Sequence, residues 1–131
     1  LTVSLEDLGV KNENPKALVL GKALDQAVAK ILDLDKSPSR KVNEIDNRGS
    51  HFYLAMYWAE ALAAQDENAE LKTHFAPVAE ELMAKQEQIA KELIDAQGKP
   101  VEIGGYYLPN PELCEGAMRP SATLNAVIDN I

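Results

Sequence analysis

Leu20, Leu24, Ala27, Val28, Ile31 and Leu32 follow one another at steps of three and four residues, so a helix wound through them gathers its apolar side chains into one stripe. Ahead of the stripe, Asn14 is placed to cap the helix and Pro15 to fill its first position, where a missing amide costs nothing. The spacing predicts a helix from there to about residue 34, ended by Pro38, which forces Ser37 away from helical geometry. A second helix is expected to start between residues 47 and 50 and to reach about residue 65. Its Phe52, Leu54, Ala55, Tyr57, Trp58, Ala61 and Leu62 cover a wide arc, the pattern of a helix central to a bundle. After the turn "AQDEN", residues 68–97 read as one long helical segment with Leu71, Phe75, Val78, Leu82, Ile89 and Leu93 as its stripe. Pro77 has no amide to donate, which predicts a kink or short break before it. Gly98, with Pro100 just beyond, closes the segment.

The two ends differ in character. "SLEDLG" reads as a helical turn or two closed by Gly9. The run "GKPVEIGGYYLPNPELCEGAMRP" concentrates Gly and Pro and reads as an ordered extended loop, with a short strand at residues 101–103 and with Tyr106 and Tyr107 as a packing anchor. A last short helix opens at Pro120 or Ser121. The resulting fold class is all-α, an irregular helical bundle with an extended Gly/Pro-rich carboxy-terminal loop, formed as a single segment over residues 1–131.

With 46% hydrophobic and 26% charged residues in a chain of 131, there is enough apolar material for one globular core. No apolar run approaches the roughly 20 residues of a membrane span, and residues 1–15 carry no signal-like block; a cytoplasmic, membrane-free protein is expected. The start "LTVSLEDLG", without Met, fits a processed product or a piece of something longer. Cys114 is the only cysteine, so it reads as a small buried or neutral thiol rather than half of a disulfide. Thirteen basic residues against twenty-one acidic ones give a net charge of −8, which disfavours a polyphosphate partner; no nucleic-acid binding is expected.

Against that charge, the stretch "KSPSRKVNEIDNRGSHF" is unusual. It holds Lys36, Arg40, Lys41 and Arg48, four of the thirteen basic residues, just ahead of a helix start. A helix start offers unpaired amides and a partial positive end to an anion, and Gly49 would allow a bound group to approach closely. Ser37, Ser39 and Ser50 add hydroxyl donors. Arg40 and Arg48 add planar forks that each take two phosphate oxygens. Together these make a phosphate pocket chemically credible. The same residues also admit a structural reading, in which Arg48 pairs with Asp46 or Glu44, Arg40 pairs with Asp33 or Asp35, and the serines cap turns. The glycine pattern matches no Walker or Rossmann fingerprint. His51 reads either as a polar contact near a cofactor or as a structural histidine, and His74 as structural. Asp33, Asp35 and Asp46 lack the spacing of a calcium loop. No nucleophile with its base, no acid and base pair and no metal-ligand set assembles from this chain.

The run "KSPSRKVNEIDNRGSHFYLAMYWAEALAAQ", continued by "HFAPVAEEL", "QGKPVEIGGYYLPN" and "MRPSATLNAVI" and preceded by "ALVLGKALDQAVAKILD", resembles the carboxy-terminal part of the monomeric, bacterial type of NADP-dependent isocitrate dehydrogenase. The resemblance covers essentially all 131 residues. It implies a piece of a much longer α/β enzyme that oxidatively decarboxylates isocitrate to 2-oxoglutarate with NADP and a divalent metal, Mg2+ or Mn2+. It further implies that the carboxylate ligands of isocitrate, the metal-binding aspartates and the catalytic lysine and tyrosine lie outside this segment, which packs on the remainder of its own chain. Arg40 in "SPSRK" looks like the family's basic contact to the phosphate that separates NADP from NAD. Lys36, Lys41 and Arg48 would then be supporting charges, with Ser37, Ser39 and His51 as further contacts.

A different class of function competes with this reading: an independent helical interaction module that binds a protein through its tail or an apolar stripe. A native mass near that of the chain alone would favour the module, and a much larger mass the enzyme. Without its domain partner, the isolated piece is expected to expose an apolar face and to self-associate.

Overall fold

A computed structural model describes residues 1–105 and 107–131. Among the described residues the chain forms seven α-helices and no strand: α1 (Thr2–Lys11), α2 (Pro15–Asp33), α3 (Asn47–Ala64), α4 (Ala69–Ala84), α5 (Gln86–Asp95), α6 (Pro111–Met118) and α7 (Ala122–Asp129). Five of the helix starts follow the same local chemistry. The side chains of Asn14, Asp46, Asn68, Asn110 and Ser121 each accept a hydrogen bond from the amide three residues on, satisfying donors that the helix itself leaves open. None of the helices is long and apolar enough to cross a membrane, as judged over the described residues.

The wide apolar arc of α3 places it at the centre, packed between α2 and α4, while α1 lies on α2 and α5 and α7 close the far side. Phe52, Met56 and Ala59 of α3 meet Ala27 and Ile31 of α2, Leu82 of α4, Ile89 and Leu93 of α5 and Val127 of α7 in one core. Trp58 is only partly buried and donates its indole N–H to the Leu20 carbonyl at 3.1 Å, so α2 and α3 are tied by a directional bond as well as by apolar contact. Every buried side-chain polar atom among the described residues has a partner.

Four sequence expectations are corrected. The long segment over residues 68–97 breaks at Lys85 rather than at Pro77, which lies inside an unbroken α4. Pro77 faces solvent, so the amide bond it cannot make falls on the wetted side, while Phe75, Val78, Ala79 and Leu82 keep their packing. The break at Lys85 instead lets Ile89 and Leu93 reach the core. Gly9 does not close α1, which runs on to Lys11; a Cβ on Gly9 would lie 2.5 Å from Cγ of Leu18, so this glycine permits close contact between α1 and α2. The expected strand at residues 101–103 does not form, and part of the presumed loop is α6, capped by Asn110 with Pro111 in its first turn. Tyr107 is 90% exposed and therefore packs into no core; Tyr106, the other half of the expected anchor, lies outside the described residues.

α7 is latched to α5 through Glu92. The hydroxyls of Ser121 and Thr123 donate to its two carboxylate oxygens at 2.6 Å and 2.8 Å. The Ser121 hydroxyl in particular holds the Glu92 carboxyl below its ordinary value of 4.5. A carboxyl depressed on folding contributes stability that is present above its unfolded value and lost as pH falls through the lower folded one. Substitution Glu92→Gln is therefore expected to lower stability at neutral pH and to flatten the acid limb below pH 4.5, as read from urea unfolding across pH.

Candidate functional site

Between α2 and α3 the chain folds into a self-closed loop. The Ser39 amide donates to the Ile45 carbonyl. The Ser39 hydroxyl donates to Glu44 at 2.9 Å and accepts the Lys41 amide at 3.2 Å. Asp35 and Asn43 take left-handed backbone angles, φ 53° and 71°, a conformation that short polar side chains tolerate. The loop is fastened from outside by Gln97, just past α5. The Gln97 carboxamide accepts the Asn43 amide at 2.9 Å and donates to the Glu44 carbonyl at 2.7 Å. With its ends pinned in this way, the loop holds Arg40 and Lys41 outward in solvent.

Across from them, Gly98 turns the chain at φ 75° and presents Lys99. An open cleft of about 270 Å3 lies where the two segments meet, lined by Ser39, Arg40, Lys41, Val42, Asp46 and Arg48 of the loop and the start of α3 and by Gln97, Gly98, Lys99 and Val101 of the segment after α5. Its charged lining is four cations and one carboxylate on a chain of net charge −8. The excess of cations makes this cleft locally positive on an acidic chain.

The six expected site residues divide. Ser39, Arg40, Lys41 and Arg48 line the cleft together, whereas Ser37 and His51 do not. His51 holds its Nδ1 2.6 Å from the Asn47 carbonyl and borders a separate, larger groove of about 600 Å3 with Met118, Leu124 and Ile128. Lys36 sits over the Tyr53 ring, 4.8 Å from its centre, so it braces the loop on α3. Arg48 is engaged: Nε and Nη2 lie 2.9 Å and 2.8 Å from the same Asp46 oxygen, and Nη1 donates to the Ala117 carbonyl at 2.9 Å. Arg40, Lys41 and Lys99 make no ion pair among the described residues, and Arg40 pairs with neither Asp33 nor Asp35. These three are the cations whose donors remain available.

The helix-start expectation needs revision. The other Asp46 carboxylate oxygen accepts the Gly49 amide at 2.9 Å, so one of the open amides at the start of α3 is taken by its own cap. Gly49 is buried, and a Cβ there would meet Cγ2 of Ile45 at 3.2 Å; its smallness serves packing of the loop, not approach of a bound group. Sequence reading missed Lys99 because "QGKP" served only as a helix stop. Among the described residues no group of three His, Cys, Asp or Glu side chains is placed to hold a metal ion.

The roles of the two arginines separate by measurement. Replacing Arg48 with alanine removes the donor to one Asp46 oxygen and to the Ala117 carbonyl, an expected loss of about 2 kcal/mol in unfolding free energy. Replacing exposed Arg40 is expected to change stability by no more than about 0.5 kcal/mol. Urea unfolding of the two variants checks both values.

Among the described residues the chain is all-helical with one cleft rich in cations, and comparison with known proteins gives its family. The family model described as monomeric isocitrate dehydrogenase matches residues 1–129, and the chain belongs to that family. It is 60% identical over 128 residues to isocitrate dehydrogenase (NADP) of Azotobacter vinelandii, covering 98% of this chain and 17% of the relative. Isocitrate dehydrogenase (NADP) 2 of Mycobacterium tuberculosis is 51% identical over 131 residues, covering 100% of this chain and 18% of the relative. The corresponding enzyme of Psychrobacter sp. is 54% identical over 131 residues with the same two shares, 100% and 18%. The chain thus spans less than a fifth of the length of these relatives.

Proposed function

We propose that this chain is the carboxy-terminal, NADP-side segment of a cytoplasmic enzyme that oxidatively decarboxylates isocitrate to 2-oxoglutarate, and that its cationic cleft receives the 2′-phosphate of NADP. The observation that carries the reading is the pairing pattern at the cleft. Arg48 is spent on Asp46 and Ala117, while Arg40 and Lys41 stand on a pinned loop with no ion-pair partner among the described residues. A phosphate dianion completes that arrangement. The Arg40 fork takes two of its oxygens, and Lys41 adds a point charge.

The coenzyme, when bound, accepts the hydride removed from isocitrate. In this reading the present residues bind and orient the coenzyme, and they discriminate against NAD, which lacks the phosphate and would leave the cations without a partner. The divalent metal, Mg2+ or Mn2+, and the groups that move protons belong to the remainder of the enzyme, so the chain alone turns over no isocitrate. The test is Arg40→Ala in the full-length enzyme, expected to raise KM for NADP while leaving KM for isocitrate in place. An equal rise in both would count against the reading.

A further inference from the structure

The cleft is formed by two chain segments bridged by Gln97, and the second segment carries a cation of its own. Lys99 is exposed, forms no ion pair among the described residues and lines the same cleft as Arg40 and Lys41. Its distance from the loop is not left to chance. Two residues before it, the Gln97 carboxamide bridges the Asn43 amide and the Glu44 carbonyl at 2.9 Å and 2.7 Å, and Gly98 makes the turn between them at φ 75°. A Cβ on Gly98 would meet Val42 of the loop at 3.2 Å, so the two walls touch at that point as well.

We propose that Lys99 is a further specificity-determining residue, contacting the coenzyme phosphate from the wall opposite Arg40, and that Gln97 is the positioning residue that sets the gap between them. The inference rests on the reading that this cleft takes the 2′-phosphate. A phosphate held from two sides is fixed in direction as well as attracted, which one flexible loop alone does less well. The Gln97 carboxamide suits the clamp because it needs one acceptor and one donor at once. A carboxylate at that position keeps the first bond, loses the second and brings a negative charge to the cleft.

The experiment compares kcat/KM for NADP and for NAD in the full-length enzyme bearing Lys99→Met, Gln97→Ala or Arg40→Ala. Lys99→Met keeps length and removes charge. It is expected to lower kcat/KM for NADP about fivefold, as suits an exposed ionic contact, and to leave NAD unchanged. Gln97→Ala is expected to cut the NADP-to-NAD ratio in the same sense. The double variant is expected to fall short of the product of the single effects, because the clamp acts partly through Lys99. A folding defect would depress both coenzymes in parallel and leave the ratio where it was. If Arg40→Ala lowers the ratio while Lys99→Met and Gln97→Ala do not, the cleft reading stands and this inference fails. If none of the three changes the ratio, both fail.

Discussion

Phe52→Ala is expected to lower the unfolding free energy by about 3–5 kcal/mol, the range for emptying an aromatic site in a packed core. Phe52 is 2% exposed and belongs to the cluster in which α3 meets α2, α4, α5 and α7. Its ring lies 5.1 Å from that of Tyr53, and Lys36 of the cationic loop rests on the same Tyr53. Neighbours drawn from four helices cannot all move in to fill the space, so most of the lost contact stays lost. Against a total stability of about 5–15 kcal/mol, such a loss is a large fraction. The midpoint of urea unfolding reports it directly, and a change below about 1 kcal/mol would mean that α3 is not the centre of the fold.

The second large effect is on coenzyme use. In the full-length enzyme Arg40→Ala is expected to raise KM for NADP about ten- to a hundredfold. A charge-assisted hydrogen-bonded contact is worth about 1.5–3 kcal/mol, and each 1.4 kcal/mol is about a factor of ten. KM for isocitrate should hold, and so should kcat/KM for NAD, because on the proposed reading the cleft takes a 2′-phosphate and neither ligand carries one. Raising ionic strength should weaken NADP binding to the parent more than to the variant, since a screened contact is lost only where the contact exists. The exposure of Arg40 makes a folding defect an unsuitable explanation for such a split, and the contrasting Arg48→Ala, which removes a bond network, supplies the control.

Where the fold was legible, local chemistry and tertiary packing pointed the same way. Asn14 followed by Pro15 marked the start of α2, and the apolar arc from Phe52 to Leu62 marked α3 as central. The same Asn-Pro signal at Asn110 and Pro111 opens α6, but it was hidden among glycines and prolines that argued for a loop. Pro77 misled because intrinsic propensity takes no account of which side of a helix faces water. Lys85 carries no breaker chemistry at all; α4 ends there because the core, not the local sequence, requires α5 to turn inward.

The candidate site divides along similar lines. That Arg40 and Lys41 belong to one cationic patch was legible because they crowd one short stretch of an acidic chain. The choice of Asp46 as the partner of Arg48 was among the local options that the sequence left open, and geometry selected it. Lys99 could not be read as a neighbour of this loop, since it lies 58 and 59 positions beyond Lys41 and Arg40 and the Gln97 bridge brings the two segments together.

A structure of the full-length enzyme with NADP bound is the most direct measurement. It is expected to show the Arg40 guanidinium within about 2.9 Å of 2′-phosphate oxygens, with Arg48 still turned to Asp46. A coenzyme phosphate seated elsewhere, with Arg40 folded onto Asp33 or Asp35, would contradict the assignment of this cleft.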